Sequence, residues 1–265
     1  MDAGVLTFSK YQATGNDFVL VDDRTETFPV DNKAFIARLC HRRFGIGADG
    51  LILLRNDTSS DFRMIYFNAD GAEGSLCGNG SRCVVAFAKH LGIIGDSCNF
   101  QAIDGMHEAT ITGEAVRLKM GNVSEIREKE QYSFLDTGSP HHVQEVEDLP
   151  GLDVPVEGKR LRYSLYGEKG SNINFVRVTE PDRVSVRTYE RGVEDETFSC
   201  GTGVTAVALA LHRKGRLGEQ RIAVDTAGGE LQVEFNNDQH GGYSNIWLSG
   251  PARKVYEGTW QLRNQ

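Results

Sequence analysis

Cys77 and Cys200 each precede a Gly-x-Gly and a run that reads as helix, in Cys77-Gly-Asn-Gly and Cys200-Gly-Thr-Gly. A glycine-rich turn opening a helix turns unpaired backbone N–H groups and the positive end of the helix dipole outward, the setting for an anion. A cysteine there could be a metal ligand, half of a disulfide, a buried apolar side chain or a reactive thiolate. The helix end favours the thiolate, and such surroundings bring a thiol from about 8.5 to roughly 3.5–7.5.

The other cysteines, 40, 83 and 98, make five in all. An odd number in a chain whose N-terminus lacks the basic and apolar zones of an export signal argues against a disulfide framework. Zinc is excluded by spacing: Cys77 and Cys83 are six residues apart, no second close pair follows, and His141 and His142 cannot both face one site on an extended chain. No metal is expected. Cys40, Cys83 and Cys98 read as buried apolar residues.

Laying Cys77 on Cys200 aligns more than the thiols. CGNGSRCVVAFAKHLG (77–92) and CGTGVTAVALALHRKG (200–215) match at a constant offset of 123 residues, which also pairs Tyr66 with Tyr189, Glu73 with Glu196, Gly95 with Gly218 and Gly105 with Gly228. A second match at another offset joins Asn16-Asp-Phe-Val-Leu-Val to Ile173-Asn-Phe-Val-Arg-Val. The chain reads as two diverged copies of one unit.

The elements that must carry the thiols follow from pattern. Each copy has strand-like runs (Asn16 to Val21, Phe62 to Phe67; Ile173 to Val178, Val184 to Tyr189), the Cys-Gly-x-Gly turn, a helix, and further strands. Val84 to Leu91 and Val204 to Arg213 are apolar almost all round, so each helix needs cover on most sides, which a curved sheet supplies. Gly92 and Gly215 stop them. Glu108 to Thr112, Val116 to Met120, Leu231 to Phe235 and Tyr243 to Leu248 read as the later strands. The fold class is α/β (α+β), two pseudo-symmetric domains with a central helix in each. The expected division is 1–121 and 122–251, with a tail at 252–265 packing back on the first half. The run Gly45-Ile-Gly-Ala-Asp-Gly50 has dinucleotide spacing, but a helix-like stretch (Asp31 to Arg43, capped by Asp31) precedes it and a strand (Leu51 to Leu54) follows. That order is the reverse of a dinucleotide fold.

If the halves pack face to face, two thiols and two positive helix ends meet at one ligand. Two bases on opposite faces of one carbon perform stereoinversion: a thiolate removes the α-proton and a thiol delivers another from the far side. The helix ends would hold the adjoining carboxylate as it takes up enolate-like charge, with closure excluding water. Nothing resembles a pyridoxal-phosphate lysine site, so no cofactor is expected. At net charge −8, with no run of Lys and Arg and no apolar stretch long enough to span a bilayer, nucleic acid and membrane are not expected partners; the reading is a cytoplasmic protein.

The motifs GNDF (15–18), NADG (68–71), CGNGSRC (77–83), GSPH (138–141), SNINF (171–175), YERG (189–192) and SCGTG (199–203), in this order over most of the chain, resemble the diaminopimelate epimerase family. The resemblance implies two mirrored α/β domains, a cofactor-independent interconversion of LL- and meso-2,6-diaminopimelate for lysine and peptidoglycan precursors, and a homodimer. Carried over by position, it implies Cys77 and Cys200 as the acid/base pair. Gly78, Asn79, Gly201 and Thr202 would hold the reacting carboxylate and amine. Asn16, Asn68, Asn172, Glu190 and Arg191 would hold the substrate, with Arg191 suited to the distal carboxylate, and His141 and Glu190 would tune the thiols. Ser139 replaces an Asn found in many members and Gly50 a Gln found in some, which puts a substrate contact at either place in question.

Each residue taken singly has an ordinary alternative. Asn68 and Asn79 suit turns for backbone reasons, His141 could be a structural histidine, and Glu190 with Arg191 a solvated pair. Among whole-protein alternatives, a proline or hydroxyproline epimerase reads a small ring with no distal amino acid group, which leaves the several Asn and Arg191 unused. A phenazine-type isomerase would lack both thiols, and a pure binding protein needs neither.

Overall fold

The computed structural model describes residues 4–74 and 77–262. The chain forms two compact units, Met1–Leu118 with Pro251–Gln265, and Lys119–Gly250. In chain order the first contains β1 (Val5–Ala13), β2 (Asn16–Asp22), α1 (Lys33–Cys40), β3 (Gly50–Arg55), β4 (Phe62–Asn68), α2 (Gly78–His90), β5 (Ser97–Ala102), β6 (Gly105–Thr112) and β7 (Ala115–Lys119). The second contains β8 (Ile126–Glu128), β9 (Tyr132–Asp136), β10 (Pro140–Glu145), α3 (Val154–Tyr166), β11 (Asn172–Glu180), β12 (Arg183–Glu190), β13 (Asp195–Thr197), α4 (Gly201–Arg213), β14 (Arg221–Thr226), β15 (Gly229–Asn237) and β16 (Tyr243–Pro251). The last strand, β17 (Arg253–Gln261), returns to the first unit and pairs antiparallel with β1.

Each unit is a curved, mostly antiparallel sheet around one helix, and the two have the same pairing logic. In the first, β1–β2, β3–β4, β5–β6 and β6–β7 are antiparallel, while β2–β3 and β4–β5 are parallel. In the second, β9–β10, β11–β12, β14–β15 and β15–β16 are antiparallel, while β10–β11 and β12–β14 are parallel. Parallel neighbours need a crossover. Helices α1 and α2 supply it in one unit, α3 and α4 in the other.

The register corrects one expectation. Tyr66 pairs with Ile52 and Tyr189 with Ile173, so β11 is the counterpart of β3 and β10 the counterpart of β2. The match of Asn16–Val21 to Ile173–Val178 was therefore one strand out. Short runs of Val and Phe are interchangeable as strand filling and do not fix register by themselves.

Helix α2 lies against β1, β2, β3, β4, β6 and β17, and α4 against β9, β10, β11, β12, β14 and β15. From Val204 to Leu211 every residue of α4 is buried, which is why its sequence shows no polar face. Gly92 (φ +71°) and Gly215 (φ +67°) follow the helices in the left-handed conformation that ends them. Three local details differ from the sequence reading. The Cys-Gly-x-Gly segments are the first helical turns themselves. Helix α1 is capped by Asn32, whose Oδ1 accepts from Phe35 N at 3.0 Å, and spans only Lys33–Cys40, because Ile46, Gly47 and Ala48 turn back to cap its last carbonyls. Helix α3 was not anticipated, although Asp153, whose carboxylate accepts from Val156 N, followed by a proline in the first turn, is an ordinary start signal.

Candidate active site

Cys77 is the N-cap of α2 (φ −109°, ψ 116°) and Cys200 the N-cap of α4 (φ −126°, ψ 113°); neither sulfur caps its helix. Extended backbone at that station places the thiol beside the first-turn N–H groups and the positive end of the dipole. Both are partly buried, and neither is in a disulfide. The remaining thiols differ in kind. Burial pushes Cys40 and Cys98 up to about 12 and Cys83 further still, so all three stay protonated and inert.

Around α2 the structure joins Asn16 to Asn79 directly and ties the pair at both ends to residues not singled out in the sequence. The Arg82 guanidinium, fully buried, donates through Nη2 to Asn79 Oδ1 (2.7 Å) and Thr14 Oγ1 (3.0 Å). Asn79 Nδ2 donates to Asn16 Oδ1 (2.5 Å), and Asn16 Nδ2 to Asp49 Oδ2 (3.1 Å). A donor-only group at one end and a carboxylate at the other fix the direction of both amides. Asp49 and Asp17 share Arg42, and Asp17 also pairs with the buried Lys10 (2.7 Å). Burial pushes the Asp17 carboxyl up, but hydrogen bonds and charge from Arg42 and Lys10 outweigh it and hold it at about 2. Arg82 Nε and Nη1 are buried with no hydrogen-bond partner, and no carboxylate faces this cation among the described residues. Burial lowers its pKa to about 10, still charged at neutral pH, with Cys83 and Cys77 the opposing influences. The signal was in plain view, since Arg82 lies inside CGNGSRC.

Asn68, at the end of β4, uses its backbone to close the turn to Ala72 (N to O, 2.9 Å). At Gly50 a Cβ would meet Tyr66 Cε2 at 2.5 Å and Phe67 O at 2.6 Å. The Tyr66 ring, edge-on to Phe18, fills the space a side chain at 50 would need.

Around α4 a second group forms. His141, on β10 and fully buried, has Nε2 2.9 Å from Thr202 Oγ1, which is 3.4 Å from Cys200 Sγ. Burial first, then the positive charge of Arg191, lower the ring to about 3, so it is neutral at physiological pH. Asn172 accepts from the backbone N of Arg191 (2.8 Å) and donates to Ser139 Oγ (3.1 Å), which in turn accepts from Arg191 Nη2 (3.3 Å). Ser139 thus joins two of the residues expected to hold the substrate, Asn172 and Arg191. Arg191 Nη1 donates to Lys169 O (3.1 Å), which leaves its planar fork aimed by two fixed acceptors. Glu190 ends β12, with its carbonyl accepting from Glu194 N. His142, next to His141, points away from this group: it bonds Tyr166 Oη (2.8 Å) and stacks on Tyr132. Asn174, two residues from Asn172 and so on the same side of β11, was overlooked, though strand period alone would have found it.

Among the described residues no three His, Cys, Asp or Glu side chains cluster in a way that could hold a metal, and no helix is long and apolar enough to cross a membrane.

Two halves of one topology each place a cysteine at the N-cap of the central helix, and the relatives of this chain put it among the isomerases of the racemase and epimerase class. The family model described as diaminopimelate epimerase matches residues 8–126 and 133–255. A diaminopimelate epimerase of Flavobacterium psychrophilum is 54% identical over 252 residues, covering 94% of this chain and 98% of that one; another from Chlorobaculum tepidum is 45% identical over 259 residues, with the same coverage. This chain belongs to the diaminopimelate epimerase family. Its fold is shared more widely. A Bacillus anthracis phenazine biosynthesis protein of the PhzF family superposes with TM-score 0.78 at 15% identity (97% and 99% covered). A hydroxyproline epimerase from Agrobacterium vitis superposes with TM-score 0.68 at 16% identity (98% and 93% covered).

Proposed function

We propose that the enzyme interconverts LL- and meso-2,6-diaminopimelate by proton transfer at one α-carbon, with Cys77 and Cys200 as the acid/base pair and no cofactor. The observation that carries this reading is the cysteine, outside any disulfide, at the N-cap of each central helix, together with the substrate named for relatives at 54% and 45% identity. One thiolate takes the α-proton and becomes a thiol. The electron pair passes into the adjoining carboxylate as an enediolate, and the other thiol returns a proton to the opposite face, leaving it a thiolate. Atoms balance without any redox partner, and the enzyme ends each turnover with the proton on the other sulfur. The backbone N–H groups of Gly78, Asn79, Gly201 and Thr202 supply donors to the developing charge.

Asn16, Asn68, Asn172, Glu190 and Arg191 hold the rest of the substrate, with the Arg191 fork on the distal carboxylate. His141 and Glu190 tune the thiols. The enzyme works in the cytoplasm as a homodimer and supplies lysine and peptidoglycan precursors. A proton-exchange measurement tests the assignment. In deuterium oxide, LL-diaminopimelate should acquire one α-deuteron while forming the meso isomer, and L-proline should acquire none. Exchange on proline without exchange on diaminopimelate overturns the substrate.

A further inference from the structure

The geometry points to Asn174 as a positioning residue: it locks His141 in the Nε2–H tautomer, so that the Thr202 hydroxyl accepts from the ring and donates its own proton to the Cys200 sulfur. This rests on Cys200 being an acid/base group.

Asn174 Nδ2 lies 2.9 Å from the carbonyl oxygen of His142, and its Oδ1 accepts from Thr188 Oγ1 at 3.0 Å. A carbonyl cannot donate, so the amide nitrogen must face it, and the orientation of the side chain is settled by chemistry. The same Nδ2 is 3.2 Å from His141 Nδ1. An amide N–H only donates, so Nδ1 must offer a lone pair, and a neutral imidazole then carries its proton on Nε2. Asn172 Nδ2 is 3.5 Å from Nε2 but has better acceptors in Ser139 Oγ (3.1 Å) and Pro140 O (3.3 Å), as a protonated Nε2 requires. Nε2–H donates to Thr202 Oγ1 (2.9 Å), and the hydroxyl proton, turned away from the ring, faces Sγ at 3.4 Å. A hydrogen bond to a sulfur favours its thiolate. Gly203 leaves room for the arrangement, since a Cβ there would lie 2.6 Å from Asn174 Oδ1 and 3.3 Å from His141 Cε1.

The relay belongs to one half only. By strand register the counterparts of His141, Asn172 and Asn174 are Val19, Leu51 and Leu53, and the counterpart of Thr205 in α4 is the buried Arg82 in α2. Cys200 is served by a neutral hydroxyl, whereas Cys77 has a permanent cation nearby. The two sulfurs are chemically unequal.

Nitrogen-15 NMR of histidine-labelled enzyme, with His141 assigned through a His141→Gln variant, reads the tautomer directly. A bare Nδ1 and a protonated Nε2 are expected at pH 7; the reverse pattern overturns the proposal, whatever the fate of any variant. In Asn174→Leu the two nitrogen shifts should converge as the tautomers mix, and unchanged shifts overturn the role of Asn174. Thr202→Val should lower kcat about tenfold or more, with Thr202→Ser restoring it to within about threefold; equal losses in both overturn the hydroxyl's part. Adding Asn174→Leu to Thr202→Val should cost less than about twofold more, since both act on one relay, and additive losses overturn the coupling. Full proton exchange in Cys200→Ala would instead sink the acid/base reading on which the relay rests, which separates the two failures.

Discussion

Cys77 and Cys200 occupy one and the same station in two helices of thirteen residues: each is an N-cap of extended backbone whose sulfur makes no capping hydrogen bond. An N-cap is ordinarily Ser, Thr, Asp or Asn, and placing another side chain there forgoes about 1 kcal/mol. Forgoing that twice, at equivalent positions, supports the acid/base role proposed for the thiols. Replacing either by Ala should leave the fold intact and reduce α-proton exchange by roughly 10²–10⁴-fold, the usual yield of a general acid or base. Normal exchange in either variant would exclude that cysteine from the proton transfer.

Arg82 is a fully buried cation that, among the described residues, donates to Asn79 and Thr14 and has no partner for its other two nitrogens. Replacing an unpaired buried charge by an apolar side chain of similar length is often neutral or stabilising. Arg82→Met should therefore melt within a few degrees of the wild type, yet raise KM about tenfold, because the Asn79 and Asn16 amides lose the donor that sets their direction. A large fall in melting temperature with KM unchanged would make Arg82 a structural residue.

Gly80 and Gly203 are the third residues of their helices, and exchange for Ala would ordinarily favour a helix by roughly 0.5–1 kcal/mol. At Gly80 the nearest atom to an added Cβ is Ile52 Cδ1 at 3.1 Å, the movable end of a side chain; at Gly203 it is Asn174 Oδ1 at 2.6 Å, fixed by its own hydrogen bonds. Gly80→Ala should be close to neutral, and Gly203→Ala should lose roughly 1–3 kcal/mol together with most activity. Equal urea midpoints for the two variants would contradict the packing.

Stability should fall in mild acid through the two buried rings of β10. Burial lowers His141 to about 3, reinforced by the charge of Arg191. Burial also lowers His142 to about 4, opposed by its bond to Gln144 and helped by Lys214. In the unfolded chain each titrates near 6.5. Between about pH 6.5 and pH 4 the unfolded chain therefore binds more protons, so the contribution is intact above that window and lost as pH falls. Near pH 5 the loss is about 2 kcal/mol per ring. The urea midpoint at pH 5 should lie below that at pH 7.5, and a midpoint flat across this range would contradict the buried, neutral rings.

Duplication, the two central helices and the cysteines at their starts were legible in the sequence, because glycine stops, all-round apolar helices and an ungapped offset are local or additive signals. The repeat also supplied what one thiol could not, a reason for the second. The match of the Asn16 strand to the Ile173 strand misled, since register between strands depends on pairing across the sheet, which short Val and Phe runs leave open. Helix α3 was missed because Val154–Tyr166 mixes charged and apolar residues without a clean apolar stripe, although its Asp153 cap was visible.

Direction comes from the folded arrangement alone. A sequence names Asn, His, Thr and Arg but cannot say which atom of an amide faces which neighbour. Arg82 at one end and Asp49 at the other orient Asn79 and Asn16, and the His142 carbonyl orients Asn174 and through it the His141 ring. Hydrogen-bond polarity passes between residues far apart in the chain, so it exists only once the fold has brought donors and acceptors within reach.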